Sequence, residues 1–144
     1  MHRKALPALV AALTLALVGC GGAGTTTLDR AQAVRRLEAA CVAGTSAGAK
    51  IAHTGRGKAT VARAYQADLR TVRDKLDHVE AAGAARGPFD AYKQTVRTRL
   101  DAFERILADH VSDRTISAER PHIDAASRAG FAAIVRLGAR HVCI

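Results

Sequence analysis

Apolar residues recur every three or four positions in four stretches of the chain, and this spacing predicts four amphipathic helices. The first stripe consists of Leu28, Ala31, Val34, Leu37 and Cys41, and the fourth of Ile123, Ser127, Phe131, Ile134 and Leu137. The second and most regular stripe consists of Val61, Tyr65, Leu69, Val72, Leu76, Val79 and Gly83, and the third of Phe89, Tyr92, Val96, Leu100, Phe103 and Leu107. Apolar and polar residues nowhere alternate in the manner of a strand, so we predict no strand.

Glycine, proline and polar residues mark the connections between these stripes. Thr27 is placed to cap the first helix. The stretch HTGRGK at 53–58 predicts a turn, and AAGAARGP ends the second helix with Pro88 at the first position of the third. The stretch SDRTISAERP predicts a polar connection, so that the fourth helix begins near Pro121 and ends near Cys143.

Four such helices with short connections predict an all-α fold, an antiparallel four-helix bundle, over residues 28–144. The composition agrees with this fold class, because alanine and arginine, both good helix formers, are abundant. Aromatic residues make up only 3% of the chain, and there is no tryptophan. A length of 144 residues suits a single domain.

The N-terminus has the composition of a secretory signal. Arg3 and Lys4 make it basic, the stretch 5–18 is apolar apart from Thr14, and a small residue follows. An uncleaved membrane anchor is the alternative. The apolar run of about 14 residues is shorter than the roughly 20 that a membrane-spanning helix needs, which favours the signal.

The end of this apolar run is more specific. Leu17, Val18, Gly19 and Cys20 resemble a bacterial lipobox. The resemblance implies that a peptidase removes residues 1–19 and that Cys20 receives a diacylglyceryl group, which anchors the protein to the outer face of the cytoplasmic membrane. Two acyl chains give a stable anchor where one is marginal. Residues 20–27 would then be the lipidated cysteine and a flexible tether to the helical domain.

The chain is basic, with a net charge of +9 that falls to +7 when Arg3 and Lys4 are removed with the signal. Such a charge fits nucleic acid, an acidic partner or an anionic membrane surface. Export argues against nucleic acid, so we expect none. Arg30, Arg35 and Arg36 lie nearest the predicted tether, which suggests anionic lipid headgroups, or an envelope protein, as partners.

Lipidation of Cys20 would leave two cysteines, Cys41 and Cys143. In an exported protein these can form one disulfide, although two separate thiols are the alternative. The geometry of a simple antiparallel bundle does not readily bring Cys41 and Cys143 together. Cys41 lies roughly 20 Å along the first helix, whereas the end of the fourth helix should lie near the start of the first. The pairing therefore requires a staggered bundle or a first helix that projects beyond it.

The closing segment carries a second resemblance. Leu137, Gly138 and Cys143, with Cys41 as the partner cysteine, resemble a group of small helical lipoproteins and secreted proteins from actinobacteria that has no assigned activity. The resemblance supports the helical fold and the disulfide, and it implies no reaction.

No catalytic constellation is evident. GRGKAT lacks both the first glycine and the serine or threonine of a phosphate-binding loop. The pairs Asp74–His78 and His110–Asp113 lie on charged faces, and the remaining histidines are His53, His122 and His141. We expect no metal site, no cofactor and no enzymatic activity. The sequence favours a non-catalytic binding or structural role in the cell envelope, with a metal- or small-ligand-binding bundle as the alternative.

Overall fold

Four helices and one pair of short strands make up the part of the chain that the structure, a computed structural model, describes: residues 25–44, 50–51 and 55–140. The elements in chain order are β1 (Thr26–Leu28), α1 (Arg30–Gly44), α2 (Lys58–Leu76), β2 (Val79–Ala81), a 3-10 turn (Gly83–Ala85), α3 (Arg86–Ala108) and α4 (Asp113–Leu137). This mostly helical content agrees with the predicted all-α class.

The core lies where consecutive helices pack on one another. α1 packs on α2, α2 on α3, and α3 most extensively on α4. The largest side chains with almost no exposed surface are Leu37, Leu76, Phe89, Ile106, Ile134 and Leu137. Burial of each such side chain contributes about 1.5–3 kcal/mol. Five of the six belong to the predicted stripes; the exception is Ile106, which is buried, whereas Leu107, predicted to face inward, is only half-buried.

The two strands, which the sequence did not predict, pair in parallel. Thr26 lies opposite Val79, and Leu28 lies opposite Ala81. The prediction of no strand is therefore wrong, and so is the continuation of the second helix through Val79, because α2 ends at Leu76. Three-residue strands are too short to show the alternation on which such a prediction depends.

The strand pair changes the start of the first helix. Thr27, expected to cap it, lies in β1 instead. The cap is a reciprocal pair: Asp29 Oδ1 accepts from the Gln32 N–H at 2.8 Å, and Gln32 Oε1 accepts from the Asp29 N–H at 2.9 Å. This capping box satisfies backbone donors that the first turn would otherwise leave open, and it fixes the helix start at Arg30.

The fourth helix begins eight residues before the predicted start near Pro121, at Asp113. Ser112 and Thr115 form a second capping box, in which each side chain accepts from the backbone N–H of the other. The sequence predicted a polar connection here because serine and threonine are common both in loops and as helix caps. Pro121 lies within the helix at an exposed position.

Phe131, predicted to face inward, is 49% exposed. Gly130 faces the core in its place, and a Cβ at that position would lie 2.9 Å from Thr95 Oγ1. The absence of a side chain lets α4 approach α3 closely at this point. Apolar periodicity favours phenylalanine over glycine as an inward residue, and this explains the error.

Candidate functional site

An apolar cleft of about 460 Å³ opens between the start of α2, the end of α3 and the first half of α4. Its walls include Val61 and Tyr65 of α2, Phe103 and Ile106 of α3, and Ile116 and Ile123 of α4. Ile116 belongs to the turns of α4 that the sequence assigned to a polar connection. The cleft could therefore not be predicted, since one of its walls was missing from the expected fold.

Tyr65 and Phe103 form the aromatic part of the wall. Their rings stack with centroids 5.7 Å apart and planes 18° from parallel. Both side chains, like Val61, are only half-buried, although all three belong to stripes predicted to face inward. At this end of the domain the apolar stripes are thus incompletely covered by the described part of the chain.

The rim of the cleft is basic. Arg56, Lys58 and Arg120 line it together with a single carboxylate, Asp124. Lys58 forms an ion pair with Asp113. Within residues 25–44, 50–51 and 55–140, neither Arg56 nor Arg120 has an ion-pair partner. The rim therefore offers two exposed guanidinium groups beside an apolar surface.

A further guanidinium, that of Arg99, lies near Tyr65 of the aromatic wall. Arg99 is largely buried, and its Nε has no hydrogen-bond acceptor in the described part of the chain. Burial lowers the pKa of Arg99, and the nearby hydroxyls of Tyr92 and Tyr65 oppose that shift. Burial also raises the pKa of Tyr92 to about 12, which keeps it neutral at physiological pH. Arg99 thus adds positive potential near Tyr65, and no carboxylate in the described ranges forms an ion pair with it.

Of the three predicted cysteine sites, the structure describes Cys41 alone. Cys41 is buried in the core, and its Sγ lies 3.6 Å from the hydroxyl of Tyr92. Cys20 and Cys143 lie outside the described residues, so lipidation and the Cys41–Cys143 pairing stay predictions.

Two of the three arginines expected to face lipid headgroups, Arg30 and Arg36, also bind backbone carbonyls. Arg30 donates from Nε to the carbonyl of Leu137 at 3.2 Å and from Nη2 to the carbonyl of Arg136 at 3.1 Å. Arg36 donates to the carbonyl of Lys75 at 3.2 Å. Arginines that bind the last carbonyls of a helix stabilise its C-terminus, and these two therefore secure α4 and α2. Arg35 is exposed.

The structure describes three histidines, which lie on different parts of the fold. His78 and His110 lie in the turns that follow α2 and α3, and His122 lies on α4. Among the residues that the structure describes, no three His, Cys, Asp or Glu side chains come together as a metal site. His53 and His141 lie outside those residues. Within the same ranges, no helix combines the length and the apolar character needed to cross a membrane.

Comparison with family models, with curated proteins and with solved structures finds no match to this chain. The class that the geometry defines is therefore limited to a mostly helical protein with an apolar cleft and a basic rim.

Proposed function

We propose that this protein is a membrane-anchored extracytoplasmic lipoprotein that binds a ligand in the cleft without catalysing a reaction. The proposed membrane anchoring and location rest on the lipobox-like sequence that ends at Cys20. The binding role rests on one observation, the cleft of about 460 Å³ with its apolar walls and basic rim. Ligand sites are typically concave, mostly apolar and roughly 300–1,000 Å³ in volume, with a few polar groups that orient the ligand.

The helices that build the cleft are proposed to form an antiparallel four-helix bundle. Arg105 near the end of α3 pairs with Glu119 near the start of α4 at 2.8 Å. Further along the same two helices, Gly130 lies against Thr95. Both contacts support opposite directions for α3 and α4, and the short turn between them agrees with this arrangement.

The anchor and the cleft would lie at opposite ends of the domain. The chain enters the domain at β1, whose Thr26 N–H donates to the carbonyl of His78 just beyond α2. The cleft lies at the other end of α2, and the helix rises about 22 Å from Val61 to Leu76. A domain held at β1 would therefore present the cleft away from its point of attachment.

Two functions were open from the sequence: interaction with an envelope partner, and the carrying of a metal or a small ligand. The cleft favours a small ligand, because its walls are apolar and its cationic rim would repel a metal cation. No described residue cluster favours a metal.

Site-specific photocrosslinking in the native envelope tests this proposal. A benzophenone amino acid at Ile116, inside the cleft, should give specific adducts that mass spectrometry can identify. The same group at Phe131, exposed outside the cleft on the same helix, is the matched control. Adducts at Phe131 without adducts at Ile116 would contradict the binding role of the cleft. Metabolic labelling with a fatty acid, abolished by Cys20→Ala, tests the anchor separately.

A further inference from the structure

We infer that the cleft binds an amphiphile with one acyl chain and an anionic headgroup, a conclusion that rests on the proposed binding function. The chain would lie between α2, α3 and α4 against the stacked Tyr65 and Phe103. The headgroup would lie at the rim beside Arg56 and Arg120.

The volume of the cleft suits one acyl chain. At about 460 Å³ it lies within the roughly 300–1,000 Å³ of typical small-ligand sites. The walls match such a chain chemically, because the side chains facing the cleft from all three helices include valine, isoleucine and aromatic rings.

The charges at the rim set the sign of the headgroup. Arg56 and Arg120, which have no ion-pair partner within the described residues, outnumber the one exposed carboxylate that lines the cleft, Asp124. Arg99, whose Nε is buried, lies near Tyr65 and adds to the positive potential. Guanidinium groups bind carboxylates and phosphates through paired, charge-assisted hydrogen bonds, whereas an uncharged headgroup gains no ionic attraction and a cationic one is repelled.

A photoactivatable fatty acid tests this assignment. The probe is a palmitate analogue with a diazirine in the chain and a terminal alkyne, applied to membranes that contain the full chain. We expect labelled peptides from the cleft-facing parts of α2, α3 and α4, with Tyr65, Phe103 or Ile116 modified. Labelling that maps outside the cleft would overturn the inference.

Two pairs of variants isolate the role of the rim. Arg56→Gln combined with Arg120→Gln should lower labelling by about tenfold, because the charge-assisted contacts to the carboxylate are lost. The matched control is Arg63→Gln combined with Arg128→Gln, which removes the same charge from exposed positions outside the cleft. Equal labelling of the two double variants would overturn the assignment of the headgroup. Ile116→Trp, which fills the cleft at a half-buried position, should also reduce labelling.

Competition distinguishes the sources of the ligand. If unlabelled palmitate displaces the probe and lysophosphatidylglycerol does not, the ligand is a free fatty acid. If lysophosphatidylglycerol displaces the probe, the ligand is a single-chain phospholipid. Either result supports the inference. Hexadecanol competing as well as palmitate would overturn the requirement for an anion. If the probe fails to label while the benzophenone at Ile116 captures a protein, this inference is wrong and the binding function of the cleft stands. Failure of both experiments rejects both proposals.

Discussion

The backbone N–H of Arg140 donates a hydrogen bond to Glu38 Oε1 at 2.9 Å, which places the chain beyond α4 alongside the middle of α1. Cys143 follows Arg140 by three positions, and Cys41 lies one helical turn after Glu38. Three extended residues span up to about 10 Å, so the chain after Arg140 is long enough for Cys143 to reach Cys41. The turn at Gly138, with φ of 78°, reverses the chain and removes the need for a projecting first helix.

We therefore expect Cys41 and Cys143 to form a disulfide when the protein is exported as proposed. Mass spectrometry without reduction should recover the two cysteines in one linked peptide pair. Cys143→Ala should lower the free energy of unfolding by about 4 kcal/mol, because the bond closes a loop of roughly 100 residues in the unfolded chain.

The control for this prediction is a reducing agent, which should bring the wild type down to the stability of Cys143→Ala. Cys20→Ala should leave the unfolding transition of the domain unchanged. Alkylation of both Cys41 and Cys143 in the native, unreduced protein would contradict the pairing.

The close approach of α3 and α4 at Gly130 gives a second prediction. Gly130→Ala should destabilise the protein by about 1–3 kcal/mol, because the new Cβ would lie 2.9 Å from Thr95 Oγ1. Chemical denaturation measures the effect. Gly87→Ala in α3 is the matched control, since nothing lies within 4 Å of its added Cβ, and it should be neutral or slightly stabilising. Equal effects at the two positions would contradict the close packing.

The apolar periodicity predicted most of the helical core and part of the site. Leu37, Leu76 and Phe89 belong to the predicted stripes and are almost fully buried. Periodicity could not find β1 and β2, whose three-residue pairing depends on contacts between distant parts of the chain. It also could not find the cleft, because local pattern does not show where a stripe stays uncovered or which cations surround it.

Two phenylalanines that the pattern treats alike should respond very differently to truncation. Phe89 has no exposed surface, and Phe89→Ala should cost about 3–5 kcal/mol of unfolding free energy. Phe131 is 49% exposed, and Phe131→Ala should cost less than about 1 kcal/mol. Thermal or chemical unfolding of the two variants checks this. Similar losses at both positions would mean that Phe131 faces the core, as its sequence spacing suggested.

The ion pair between Arg105 and Glu119 should make stability dependent on acid pH. Two hydrogen bonds of 2.8 Å from the Arg105 guanidinium lower the pKa of Glu119 below its usual value. The pair therefore stabilises the fold above the pKa of the unfolded carboxyl, near 4.5, and the contribution is lost as the pH falls through the lower pKa of the folded state.

Glu119→Gln should accordingly lower the unfolding free energy by about 0.5 kcal/mol at neutral pH, a small value because Arg105 is half-exposed to solvent. The difference from the wild type should shrink below about pH 4. Urea denaturation of both proteins from neutral pH to below about pH 4 measures this difference in unfolding free energy. Glu104→Gln, which removes a single 3.2 Å contact with Arg70, is the control and should have a smaller effect. A pH-independent difference for Glu119→Gln would contradict the ionic origin.

Pro121 offers a substitution that should stabilise the protein. It lies inside α4 and lacks the N–H that would bond to the carbonyl of Ser117 four residues earlier. Pro121→Ala restores this donor, and the better helix propensity of alanine should raise the free energy of unfolding by up to about 3 kcal/mol. The greater conformational freedom of the unfolded chain lowers it by about 0.4–1 kcal/mol. We expect a net increase of about 1–2 kcal/mol, measured by chemical denaturation. His122→Ala, at the exposed neighbouring position, should change stability by less than about 0.5 kcal/mol. A loss of stability in Pro121→Ala would show that the first turns of α4, and with them the Ile116 wall of the cleft, depend on the proline.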